Sequence, residues 1–179
     1  MPRMLVAYAS KMGGTRELAA ALAGTLESRG MDVELVDARG FRAPIDHDGV
    51  VVGSALYAGR WRPESIRLLR RMSASRVRCP VWVFHSGPLG DEAAGDSKPL
   101  PDNVETILAG LDVHSTVTFG GRLPAHPSGM IARMMARTQA GDWRDFPAVA
   151  AWADGIADTV ERMGAFPESH PTDQKHVIS

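Results

Sequence analysis

The chain has 179 residues, 44% hydrophobic and 23% charged, a length that at roughly 100–200 residues per domain predicts one globular domain with at most a small elaboration. Lys and Arg number 20 against 21 Asp and Glu, and the formal charge of −1 disfavours nucleic acid and other charge-driven partners. A single cysteine, Cys79, excludes an internal disulfide and a multi-thiolate metal site, so no metal is expected.

In chain order, short β-branched apolar runs alternate with longer segments of helical period, the pattern of βαβ units that build a parallel sheet covered on both faces. Strands are predicted over Arg3–Tyr8, Asp32–Asp37, Val50–Ser54, Val81–His85 and His114–Phe119. Unbroken runs such as Val50-Val51-Val52 mark strands buried on both faces. Between the first two strands, Leu18, Leu22 and Leu26 trace a helix that stops at Gly30, a residue suited to a left-handed cap. Pro63 suits the first turn of a second helix, with Ile66, Leu69 and Met72 inward and Arg67, Arg70 and Arg71 on a solvated face. A short helix is predicted over Asp102–Gly110. A final one over Asp145–Met163 carries Phe146, Val149, Ala153, Ile156 and Val160 on one face, with Asp142 or Asp145 as its cap and Trp143 as packing.

The predicted domain spans residues 1–164, with an inserted segment at 122–144 that has its own helical stretch, Ser128–Gln139, and a mobile tail at 165–179. No apolar run reaches the ~18–20 residues of a membrane span, and MPRMLVAYAS lacks the basic-then-apolar order of a secretory signal, so the expectation is a soluble cytoplasmic protein. The stretch 128–139 sets Met130, Ile131, Met134 and Met135 against Arg133 and Arg137. It reads either as packing against the sheet edge or as an amphipathic helix in peripheral contact with the inner face of a membrane.

Three loops carry the chemistry. After strand one, Ser10-Lys11-Met12-Gly13-Gly14-Thr15 leads into a helix, so backbone N–H groups, a helix N-terminus and two hydroxyls converge as a phosphate site. No Walker or Gly-x-Gly-x-x-Gly pattern is present. After strand three, Ser54-Ala55-Leu56-Tyr57-Ala58-Gly59 and Trp61 offer flat surfaces for a heteroaromatic ring, Trp61 otherwise packing over the next helix. After strand four come Ser86-Gly87-Pro88-Leu89-Gly90. In open parallel sheets, ligands bind outside the carboxyl ends of the strands, so the three loops should face one ligand. His85 and His126 are candidate proton-transfer residues.

The segments YASKMGGTRELA, VVVGSALYAGRW, HSGPLGDEA, TFGGRL and GDWRDFPAVAAWADGIA resemble the flavodoxin-domain proteins that include the menaquinone-dependent protoporphyrinogen IX dehydrogenases. The resemblance implies a flavodoxin-like five-stranded parallel sheet of order 2-1-3-4-5 and bound FMN. It assigns Ser10 to Thr15 to the FMN phosphate, Ser54 to Gly59 to one side of the isoalloxazine and Ser86 to Gly90 to the other. The loop Gly13-Gly14-Thr15 with Lys11 departs from the Thr/Ser-rich loop of electron-carrier flavodoxins. HSGPLGDEA lacks an aromatic residue to cover the outer flavin face, which leaves room for a substrate ring. The implied activity is an FMN-dependent oxidoreductase that passes electrons from a reduced small-molecule substrate to a quinone. The alternatives are a flavodoxin-type electron-transfer protein without its own substrate, for which an acidic docking face is expected, and an NAD(P)H-quinone reductase. A phosphoacceptor domain would need an aspartate where Gly53-Ser54 ends strand three.

Overall fold

A computed structural model describes residues 1–87, 98–123 and 141–164. Among these residues, eight strands and four helices follow in chain order: β1 Arg3–Ala9, α1 Gly14–Ser28, β2 Asp32–Asp37, β3 Gly49–Tyr57, β4 Arg60–Trp61, α2 Pro63–Ala74, β5 Val81–Ser86, α3 Asp102–Leu108, β6 Val113–Phe119, β7 Arg122–Leu123, β8 Gly141–Asp142 and α4 Phe146–Gly164. The five long strands form one parallel sheet, β2-β1-β3-β5-β6, which is the expected order 2-1-3-4-5.

Helices on both faces explain the non-alternating strands. Met4 and Val6 of β1 pack with Leu18, Leu22 and Leu26 of α1 and with Val149, Ala153, Ile156 and Val160 of α4. Leu5 and Ala7, one residue out of phase, pack with Leu68, Leu69 and Met72 of α2 and Val104 and Leu108 of α3 on the other face. Each fully buried Leu or Val stabilises the fold by about 1.5–3 kcal/mol relative to an exposed one. After α1, Gly30 takes φ +80° while its N–H bonds the Glu27 carbonyl and that of Met31 the Leu26 carbonyl, the closure expected of a left-handed cap. Asp145 caps α4 by accepting from the Ala148 N–H at 3.0 Å.

Three features depart from the sequence expectations. The loop after strand three is a hairpin: β3 runs on to Tyr57 and turns back through Ala58 and Gly59, at φ +49° and +70°, so that β4 pairs with it antiparallel. Two positive φ values in a two-residue turn are the geometry that matches hairpin twist. Phe146, expected on the buried face of the last helix, is 39% exposed because it sits at the first turn, where the Arg144 guanidinium covers its ring at 5.1 Å. The segment 122–144 opens and closes as a two-stranded antiparallel ribbon of β7 and β8. Its helical stretch, Ser128–Gln139, and the tail at 165–179 lie outside the described residues. No helix among the described residues is long and apolar enough to cross a membrane.

Candidate functional site

The carboxyl ends of β1, β3, β5 and β6 converge on an open cleft of about 800 Å³, its solvent mouth included. Its walls come from Ser10, Lys11, Met12, Gly14 and Thr15 after β1, from Ala55 to Ala58 on the hairpin, and from Ser86 and Gly87 after β5. The first two loops predicted to share a ligand, and Ser86 and Gly87 of the third, therefore face one space. Gly121, Arg122 and Leu123 complete the lining, and sequence reasoning did not assign them. A signal was present, since TFGGRL leaves the carboxyl end of a sheet strand, where ligands of this architecture bind.

The loop after β1 is built to receive an anion. Gly13 takes φ +85° and its N–H donates to Ser10 Oγ at 3.0 Å, which folds the turn. The N–H groups of Gly14, Thr15 and Arg16 at the start of α1 then have no acceptor among the described residues. Lys11 Nζ lies over the Tyr57 ring, 4.5 Å from its centroid, so the ring face expected for a ligand is shared with a cation. The Thr15 and Ser86 hydroxyls bond each other at 2.8 Å and tie the first loop to the third.

Beside this loop, Glu17 receives Arg122 Nη1 at 2.9 Å and Arg144 Nη1 at 2.6 Å, while Arg144 also grips Asp142 through Nε and Nη2 at 2.7 and 2.6 Å. Hydrogen bonding from Arg144 holds the Glu17 and Asp142 carboxyls below their ordinary range and raises the Arg144 guanidinium. Glu17 is thereby neutralised beside the anion loop. The charged residues that line the cleft, Lys11 and Arg122, are both cationic.

Close backbone approaches shape the floor. A side chain at Gly87 would run into the Leu56 carbonyl, and one at Gly121 into the Gly87 backbone. The ends of β3, β5 and β6 can therefore stack closely.

Several expected site residues lie elsewhere. Trp61 is 3% exposed in the core beneath α2 and its Nε1–H donates to His85 Nδ1 at 3.1 Å, because pairing opposite Leu56 turns it inward. Ser54 Oγ is fully buried, accepts from the Arg62 N–H at 2.8 Å and donates to the Ala55 carbonyl. Gly13 and Gly59 shape turns at the rim without lining the cleft. His85 is 1% exposed, with its second ring nitrogen on Thr118 Oγ1 at 2.8 Å, and burial depresses its pKa to about 4. It holds Trp61 in place and does not line the cleft. Pro88, Leu89, Gly90 and His126 lie outside the described residues.

A doubly covered parallel sheet with an anion loop after its first strand and a ring-sized cleft at its switch point defines the flavodoxin-like class. The flavodoxin-domain family model matches residues 5–140, and the chain belongs to that family. It is similar in fold to a short-chain flavodoxin associated with a non-canonical PDU bacterial microcompartment, with TM-score 0.64 and 16% identity over 89% of this chain and 99% of the other. Flavodoxin 2 from Bacillus cereus gives 0.61 and 20% identity, over 88% and 99%. Rubredoxin oxygen:oxidoreductase from Desulfovibrio gigas gives 0.64 and 16% identity, and there the chain spans 37% of the larger protein. Comparison with curated protein sequences finds no match. FMN is the cofactor of this fold, and the cleft fits it: free N–H groups and two cations suit a phosphate dianion, and the apolar hairpin wall suits a ring.

Proposed function

We propose that this protein is an FMN-dependent oxidoreductase of the protoporphyrinogen dehydrogenase type, taking electrons from a porphyrinogen or similar reduced donor and passing them to a quinone. Ser10 to Thr15 hold the phosphate through Lys11 and the N–H groups of Gly14 and Thr15, with Gly13 as the turn. Ala55 to Ala58 line one side of the ring and Ser86 and Gly87 the other. Bound FMN supplies reversible two-electron chemistry. The chain's own groups bind and orient: Leu56 and Leu123 keep water from the ring, and backbone amides of the hairpin tune its edge. Ser54, Trp61 and His85 support the wall from behind.

The observation that supports an enzyme over a carrier is the third loop, HSGPLGDEA, which has no aromatic residue to cover the outer ring face. The reading further includes access to membrane quinone through residues 128–139. The test is anaerobic mixing of the FMN-loaded protein with protoporphyrinogen IX and then with a menaquinone analogue. Bleaching of the flavin absorption by the first and its recovery with the second are expected. Bleaching only by a reduced carrier protein would mark an electron-transfer module, and bleaching only by NAD(P)H a quinone reductase.

A further inference from the structure

The formal charge of −1 is a sum over unlike regions: residues 38–78 hold nine arginines against three acids, Asp46, Asp48 and Glu64. Asp46 and Asp48 are engaged by Arg3, and Glu64 by Arg39 and Arg62 through Oε1, its buried Oε2 having no hydrogen-bond partner among the described residues. Among the described residues, no carboxylate pairs with Arg42, Arg71, Arg76 or Arg78.

Arg42 and Arg71 converge instead on one neutral acceptor. Both donate through Nη1 to the Phe41 carbonyl, at 2.8 and 3.2 Å. The Arg71 guanidinium rests on the Phe41 ring, 5.2 Å from its centroid, and its Nη2 is buried with no hydrogen-bond partner among the described residues. Two like charges on one neutral carbonyl form an unfavourable arrangement that an anion beside them would relieve.

Space for that anion is present. Arg42, Arg71, Arg76, Arg78 and Ser75 line an open cavity of about 950 Å³, its mouth included, between the β2–β3 connection and the end of α2. No acidic residue lines it, and Met72 and Val77 give it an apolar floor. The cavity shares no lining residue with the FMN cleft. It lies at the opposite pole of the sheet, where α2 ends and the chain approaches the first residue of β5.

We infer that this cavity is a second anion site, which takes a phosphate group carried as free phosphate, a phosphomonoester or a phosphodiester headgroup. Guanidinium forks match tetrahedral oxyanions, and a dianion answers several arginines where a single carboxylate would leave most of them unpaired. The apolar floor receives the organic part of the ligand.

The test uses FMN-loaded protein, so that the phosphate position of the cleft is filled. Inorganic phosphate is titrated calorimetrically, and association is measured with phosphatidylcholine vesicles with and without phosphatidylglycerol. Arg42→Gln alters an exposed side chain and should keep the fold, Arg71→Lys keeps the charge but loses the fork, and Arg70→Gln lies on α2 outside the cavity. Saturable phosphate binding that weakens at least tenfold in R42Q and R71K but not in R70Q supports the site with soluble phosphate as its ligand. Association that requires phosphatidylglycerol, with the same variant pattern, supports it with a lipid headgroup. No binding of either probe, or equal losses in R42Q and R70Q, overturns the inference.

Discussion

His85 joins two elements through a neutral ring: Nδ1 accepts from Trp61, so Nε2 carries the proton and donates to Thr118 Oγ1. Its folded pKa of about 4 lies below the ordinary 6.5 because burial penalises the charged form. Between those values the unfolded chain binds a proton that the folded chain refuses. Stability therefore falls as pH drops from about 6.5 to about 4, and the loss levels off below that. The urea midpoint should follow this course in the wild type, and His85→Gln, whose amide can replace both hydrogen bonds, should remove this contribution. A histidine at a strand end beside a cleft reads from sequence as a proton-transfer candidate. Its partners, 24 and 33 residues away, have no local signature, and they decide that it is structural.

At the scale of elements, the cleft wall depends on Arg144 holding the β7–β8 ribbon to the start of α1. Its side chain is 5% exposed while its partners Glu17 and Asp142 are about half exposed. Arg144→Gln should therefore cost about 1–2 kcal/mol, below the 3–5 kcal/mol of a fully buried pair. The same change leaves the Glu17 carboxylate beside the anion loop with Arg122 as its single cationic partner, so the FMN dissociation constant should rise severalfold. Adding Glu17→Gln should restore the affinity without restoring the stability; fluorescence titration and urea unfolding separate the two effects. The helices and long strands were legible from apolar period, Pro63 and Gly30. The hairpin and the ribbon were not, because two-residue strands carry no period and Ala58 gives no sequence hint of its positive φ.

For the whole molecule, one sheet supports two apolar cores on opposite faces, and the FMN cleft sits where four strand ends meet. Ligand binding to the folded state alone adds stability by mass action. Free FMN at about 100 times its dissociation constant should add about 2.7 kcal/mol, or roughly 5–10 °C in Tm for a chain of this size, over the cofactor-free protein. Differential scanning calorimetry of the apo and loaded forms checks this. A Tm indifferent to FMN would mean that the cleft does not bind it in the folded state.

The order of apolar runs and caps by itself determined the doubly covered parallel sheet, and the position of the loops after its strands pointed to the cleft proposed for a phosphate-bearing cofactor. Both follow from local periodicity and from the crossover geometry of βαβ units. Tertiary structure alone decided that Trp61 and His85 face inward, that Gly121, Arg122 and Leu123 close the cleft, and that Arg42 and Arg71 share one carbonyl with no carboxylate. Each of these depends on a contact between distant parts of the chain, and side-chain direction at such points is set by register and packing rather than by neighbouring residues. The charge of −1 illustrates the difference, because a sum over the sequence cannot show that arginines without carboxylate partners gather at the pole opposite the cleft.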